Sequence, residues 1–202
     1  VRELHAGLWW WEARHPEWSA ADDAAGHDWG PEVSSYAAAD NDRLLLIDPT
    51  SPPAAILDLA AGRETVIVLT NPWHERDARR LSETLGARVF APPPDDDGAG
   101  VRMPARLFNA GDRLPFGVEV FPGREPPYDV VLWIESHRAV AIGDTLIDRG
   151  DGIEIVESWL PDGVTRAQVV AGLHPLLGHP IEFVLPTHGS PTDRAALERA
   201  LS

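Results

Sequence analysis

Three places in this chain end an apolar run on a polar cluster: Leu69-Thr70-Asn71-Pro72-Trp73-His74, Ile142-Gly143-Asp144-Thr145 and Leu185-Pro186-Thr187-His188-Gly189. The first continues into Glu75, Arg76 and Asp77, and Phe121-Pro122-Gly123-Arg124 lies between the first and the second. Imidazole and carboxylate groups ligate divalent cations, whereas a guanidinium stays protonated and neutralises a carboxylate as a cation does. The chain has no Cys, which removes disulfides, thiolate metal sites and Cys nucleophiles together. All 17 basic residues are Arg, so Lys chemistry such as Schiff-base formation is absent as well. Any metal has to be held by His, Asp or Glu.

The elements that position these groups are legible in outline. Thr65 to Leu69 is a short apolar, β-branched run, and Ala78, Leu81 and Leu85 follow at helical period, so a buried strand, a tight turn and a helix ending at Gly86 are predicted. Side chains in such a turn stand at the carboxyl end of a strand and the amino end of a helix, where α/β proteins place ligands. Val130 to Glu135 and Arg138 to Ile142 form a strand pair whose second member runs into Asp144. Ile181 to Leu185 is a strand that feeds His188, and a last helix covers Thr192 to Leu201. Upstream, Ser34 to Ala39 and Arg43 to Ile47 read as a hairpin closed by Asp48-Pro49-Thr50, with a short helix over Pro52 to Ala61. Arg88 to Ala91 is a further strand. Ala105 to Phe108, Arg113 to Pro115 and Gly117 to Phe121 read as short antiparallel strands, and Thr165 to Leu173 as a helix. Pro92 to Gly100 is an exposed loop with no function attached, and Asp148 to Gly152 a solvated turn that lacks the ligand spacing of a calcium loop.

Residues 1–34 carry five of the eight Trp. Leu4 to Trp11 is predicted as one strand, followed by a long loop, Glu12 to Pro31, holding His15 and His27. Either Trp18 and Trp29 anchor that loop by packing, or the loop leans over a ligand pocket as an aromatic wall. His5, His137, His174 and His179, with Tyr128 and Asp129, are assigned to surface or packing roles.

At 202 residues the chain can bury one sizeable core, and a single domain over 1–202 is expected. No apolar run approaches the ~18 residues of a membrane span, and Val1 to His5 shows no secretion signal; a soluble, cytoplasmic protein is the simplest expectation. A formal net charge of −15 repels phosphate backbones and anionic lipid, so neither nucleic acid nor a membrane is expected as a partner. A small molecule remains as a ligand. The oligomeric state stays open, although a Trp-rich start would serve as an interface if exposed.

Over residues 34 to 195 the order and spacing of these motifs resemble the metallo-β-lactamase superfamily. The resemblance implies an α/β fold, a four-layer αββα sandwich of two mixed sheets with helices on the outer faces and a site along one edge. Members usually carry Thr-His-x-His-x-Asp-His after the strand, then Pro-Gly-His, Gly-Asp and a late His-Gly, which hold two zinc or iron ions. Such ions lower the pKa of a water that attacks an ester, lactam, thioester or phosphodiester.

Set against that pattern without gaps, this chain has Asn71 and Trp73 at the first two His positions, Glu75 at the Asp and Arg76 at the next His. Arg124 stands at the Pro-Gly-His imidazole, while Asp144 and His188 match outright. Arg76 or Arg124 paired with Asp144 would then stand in for the ions. A register shifted by one residue instead gives His74, Asp77, Asp144 and His188 as a one-ion set. Two functions follow. The first is a non-hydrolytic protein with a degenerate metal site and no required cofactor, binding a small, anionic ligand or a partner through Asn71, Trp73, His74, Glu75, Arg76, Arg124, Asp144 and His188. The alternative is a one-metal hydrolase with zinc, iron or manganese on His74, Asp77, Asp144 and His188.

Overall fold

A computed structural model describes residues 1–25 and 29–202, the side chains of residues 23 and 24 aside. In chain order the strands are β1 (Arg2–His5), β2 (Leu8–Arg14), β3 (Glu32–Ala39), β4 (Arg43–Ile47), β5 (Glu64–Val68), β6 (Arg88–Ala91), β7 (Arg106–Leu107), β8 (Arg113–Leu114), β9 (Val118–Pro122), β10 (Val130–Ile134), β11 (Ala139–Ile142), β12 (Ile147–Asp148), β13 (Ile153–Glu154) and β14 (Phe183–Pro186). The α-helices are α1 (Ala20–Ala25), α2 (Ala54–Asp58), α3 (Ala78–Leu85), α4 (Arg166–Leu173) and α5 (Arg194–Ala200).

Strands β1 to β7 form one sheet in sequence order, and the second runs β14-β11-β10-β9-β8. Both are mixed. In the first, β4 pairs parallel with β5 and β5 with β6, and in the second, β11 pairs parallel with β14. Alternation along the strands decides what faces what. Tyr36, Leu45, Ile47, Val66 and Val68 of the first sheet share one buried cluster with Val118, Val120, Leu132, Ile134 and Leu185 of the second. The opposite face of the first sheet packs Leu44, Leu46 and Ile67 on Ile56 and Leu81 of α2 and α3. The opposite face of the second packs Val131, Trp133, Val140 and Val184 on Val169, Leu173 and Leu197 of α4 and α5. The result is the expected αββα order, with burial worth about 1.5–3 kcal/mol for each large aliphatic side chain.

Local chemistry sets the element ends. Gly86 closes α3 at φ 65°, and Thr165 with Gln168 forms a complete capping box on α4. Three expectations change: the loop expected over Glu12 to Pro31 begins only after Arg14, where β2 ends, and contains α1. The single strand over Leu4 to Trp11 is two strands, because Gly7 at φ 81° turns the chain between β1 and β2. The 105–108 strand is not antiparallel: β7 pairs parallel with β6 at the edge of the first sheet. Among the described residues no helix is long and apolar enough to cross a membrane.

Candidate metal centre

Strands β4, β5, β11 and β14 all deliver their carboxyl ends to one edge of the sandwich. Backbone bonds join the sheets there: the Val130 N–H donates to Thr70 O at 2.9 Å and the Ser34 N–H to Thr187 O at 2.8 Å. The Tyr36 hydroxyl donates to Pro186 O at 2.7 Å. Into this edge project Asp48 after β4, Asn71 and His74 after β5, Asp144 after β11 and His188 after β14.

Asp48 is fully buried and sits at φ 43°. Its carboxylate accepts from the Thr70 N–H at 2.9 Å, the Thr70 hydroxyl at 2.5 Å and the Thr187 hydroxyl at 2.9 Å. Its Oδ2 also lies 3.0 Å from His74 Nδ1. A carboxylate with that much donor company takes the Nδ1 proton as a further hydrogen bond, which leaves the Nε2 lone pair of His74 directed into the centre.

The Nε2 atoms of His74 and His188 stand 3.4 and 3.3 Å from Asp144 Oδ1. Neither contact is an aligned hydrogen bond, and Asp144 Oδ1 is buried without a hydrogen-bond partner. Among the described residues, His74, Asp144 and His188 are the group whose ligating atoms all lie within 4.8 Å of one another. Two donors at about 2.0–2.1 Å from one tetrahedral zinc are about 3.3–3.4 Å apart. The donor types, their spacing and the orphaned Oδ1 therefore fit a single divalent ion.

Asn71 does not add a ligand. The Trp73 N–H donates to Asn71 Oδ1 at 3.0 Å, which turns the amide nitrogen inward. That nitrogen donates to Asp144 Oδ2 at 3.1 Å and lies 3.1 Å from His74 Nε2. Arg124 approaches Asp144 Oδ2 from the other side, its Nη2 at 3.6 Å. Its Nη1 donates to Trp159 O at 2.6 Å, its plane lies over the Trp159 ring, and its Nε is 3.5 Å from Asp129. Arg124 is thus the guanidinium that meets Asp144, and Arg76 is not.

The other sequence-stretch residues go elsewhere. The His74 N–H bonds Asn71 O at 3.3 Å to close a turn, and Arg76 at φ 40° redirects the chain into α3. Asp77 then faces Ser51, whose N–H donates to it at 2.5 Å, and Arg80 at 3.1 Å. It is not in the His74 cluster, so the shifted register yields three ligands rather than four. Glu75 binds Arg79 and the Arg102 N–H. Trp73 is 38 % exposed and donates to Asp95 at 3.1 Å. Sequence reasoning passed over Asp48, although it ends a strand on a polar residue as the other three junctions do. It also placed Asp129 in packing, whereas Asp129 holds Arg124 and accepts from the Thr145 hydroxyl at 2.6 Å.

The amino-terminal loop reaches the same place. The Trp29 ring stands edge-on to His188 with centroids 4.7 Å apart, and Trp18 and His15 pack on Trp29 at 4.6 and 5.4 Å. His27 lies outside the described residues. A cavity of about 410 Å³, whose wall includes none of His74, Asp144 and His188, is lined by His15, Glu17, Trp73, Glu75, Arg76 and Arg102 among others. A wider concavity of about 710 Å³, between α4 and the carboxyl-terminal residues, contains none of these groups.

The site is largely buried, and its charged groups shift one another. Burial works against the Asp144 charge, but His74 and His188 outweigh it and hold its carboxyl well below the usual range. Burial and Arg76 push His74 down, and Asp48 with Asp144 more than offset them, so its pKa is raised. Burial lowers His188. Burial, then the Asp144 charge, pushes Asp129 up to about 7.

No protein-family model and no curated protein matches the chain. Solved structures do. The protein TTHA1623, solved in a di-iron-bound form, is 28% identical, with a TM-score of 0.62 over 85% of this chain and 95% of that one. The B3 metallo-β-lactamase BLEG-1 is 19% identical, with a TM-score of 0.64 over 85% and 94%. The metallo-β-lactamase FIM-1 from Pseudomonas aeruginosa, in its mono-zinc form, is 13% identical, with a TM-score of 0.67 over 98% and 91%.

Proposed function

Because the chain is a divergent member of the metallo-β-lactamase superfamily, we propose that it is a hydrolase built on one divalent ion, held by His74, Asp144 and His188. The observation that carries this reading is the buried Asp144 Oδ1, which has no hydrogen-bond partner and faces two imidazole Nε2 atoms at 3.3–3.4 Å. When bound, the ion supplies a Lewis acid that polarises an ester, thioester or lactam carbonyl and makes water acidic enough to ionise near neutral pH.

The chain's own groups do the rest. Asp48 fixes the His74 tautomer and ring plane. Asn71 and Arg124 occupy Asp144 Oδ2 and so turn Oδ1 to the centre. Trp29 and Trp159 border the His188 ring and exclude water from that side. Protein purified without chelator is expected to carry about one equivalent of zinc, iron or manganese through gel filtration, and Asp144→Asn with His188→Gln to carry none. Metal-free protein that neither retains nor gains thermal stability from these ions rules the reading out.

A second reading has its own observation. Arg124 and the Asn71 amide already supply positive charge and a donor to Asp144. A protein relying on these alone is a non-hydrolytic binder of a small ligand, and it predicts the metal-free result.

A further inference from the structure

Arg124 and Asp129 stand on one short loop between β9 and β10, and its backbone holds them together. The Gly123 N–H donates to Asp129 O at 2.9 Å and the Asp129 N–H to Glu125 O at 3.0 Å, which closes the loop. A Cβ on Gly123 would run into Thr145 Oγ1 and stand 2.7 Å from Asp129 O, so the backbone beside Arg124 lies flush against the Asp144 turn. The Arg124 N–H donates to the Thr145 hydroxyl at 3.0 Å, and that hydroxyl donates to Asp129 Oδ2 at 2.6 Å.

The guanidinium at the end of this loop serves two acids at once. Its Nε lies 3.5 Å from Asp129 Oδ2 and its Nη2 3.6 Å from Asp144 Oδ2. These two nitrogens form one edge of the group, the edge that elsewhere meets both oxygens of a single carboxylate. Here it meets one oxygen from each of two, so both carboxylates converge on one place and Arg124 fills it. Asp129 is fully buried and Asp144 nearly so, and like charges in such a place need a cation or a proton between them. On its far side the guanidinium is anchored, Nη1 donating to Trp159 O at 2.6 Å with the Trp159 ring against its plane.

We propose that Arg124 is a resident cation in the place of a second ion, between Asp129 and Asp144, and that it limits the chain to the one ion on His74, Asp144 and His188. Asp144 is then shared by two cations: Oδ1 faces the imidazoles, and Oδ2 faces the guanidinium and the Asn71 amide. The inference rests on the one-ion reading for its count, but the place between the two acids exists with or without that ion. Removing the guanidinium leaves a pocket of oxygens alone, from Asp129, Asp144 Oδ2 and the released Trp159 O, and Asp129 Oδ1 already lacks a hydrogen-bond partner. Oxygen donors without imidazole suit manganese, magnesium or calcium better than zinc, so the two places are separable by the metal each takes.

The test loads the full chain with zinc and then titrates manganese, with free manganese read by electron paramagnetic resonance. Ionic strength is held fixed so that loose binding to a surface of net charge −15 is the same throughout. The unmodified chain is expected to show that loose binding only. Arg124→Ala is expected to take up one further equivalent, roughly tenfold or more tightly than the unmodified chain binds manganese. Adding Asp129→Asn to Arg124→Ala removes one of the two acids and is expected to lose that equivalent while zinc uptake is kept. Arg124→Gln, uncharged and closer in size, serves if Arg124→Ala does not fold. No gain of manganese in a folded uncharged variant, a second tightly held ion in the unmodified chain, or a gain that survives Asp129→Asn would overturn the proposal. An unmodified chain that takes up no zinc strikes the one-ion reading instead, and the manganese difference between variant and unmodified chain still decides this one.

Discussion

Asp48 never touches the point where the three ligating atoms meet, yet it sets the only orientation in which His74 can contribute. Replacing it with Asn exchanges an acceptor for a group whose nitrogen can face Nδ1, and outer-shell changes of this kind cost roughly 10–100-fold in metal affinity. Competition against a chelator is the measurement, with the fold checked by circular dichroism. The imidazoles also give the site a pH signature. The raised His74 pKa means that its protonated form stabilises the metal-free fold below the unfolded value of about 6.5, and that contribution is lost as pH rises through the folded value. His188 has the opposite sign: its contribution is complete above about 6.5 and lost as pH falls through its lowered value. An ion needs both rings deprotonated, so the zinc-dependent gain in melting temperature is expected to grow as pH rises through the His74 value. Melts with chelator and with zinc across about pH 5 to 9 read this out, and His74→Gln should remove the alkaline loss. His74, Asp144 and His188 were visible in the sequence because the polar clusters after β5, β11 and β14 follow the order of the family's motifs. Asp48 was passed over, since its role comes from partners far along the chain: Thr187 lies 139 residues from it.

The junctions that carry these side chains depend on small residues. A Cβ on Gly143 would stand 2.6 Å from Thr70 Oγ1 and 2.9 Å from Asp129 Oδ1, so no side chain fits between β5 and the start of the Asp144 turn. Gly143→Ala is expected to destabilise by about 1–3 kcal/mol and to weaken metal binding, because Thr70 and Asp129 cannot both give way. Thr165→Ala, which removes the α4 capping box far from the site, is expected to cost about 1 kcal/mol with metal affinity unchanged. Denaturant melts and metal titration on the two variants distinguish a positioning effect from a general loss of stability. Most elements were legible from periodicity and stop signals, α3 with Gly86 being the clearest. The parallel placement of β7 was not, because two residues, Arg106 and Leu107, carry no periodicity and their pairing with β6 is decided by the sheet edge they reach. The turn at His74 was the hardest part: one residue of register changes every assignment, and Arg76 at φ 40° lies outside what propensity anticipates.

Across the whole molecule, the proposed ligands come from both sheets, His74 from the first and Asp144 and His188 from the second. An ion bound there ties the layers together in the folded state alone, so saturating zinc is expected to raise the urea midpoint while leaving the slope of the transition unchanged. A changed slope would instead mean that the metal-free chain is already partly open at this edge. The division of labour between the sheets has a further consequence. Every strand of the first sheet lies before residue 108 and every strand of the second after residue 112, so the backbone passes from one sheet to the other a single time among the described residues. A cut at Ala110-Gly111 would leave one polypeptide with a lone imidazole and another with the remaining two donors. Neither piece owns a complete coordination set, and recovered high-affinity zinc uptake on mixing would act as a direct gauge of their reassociation.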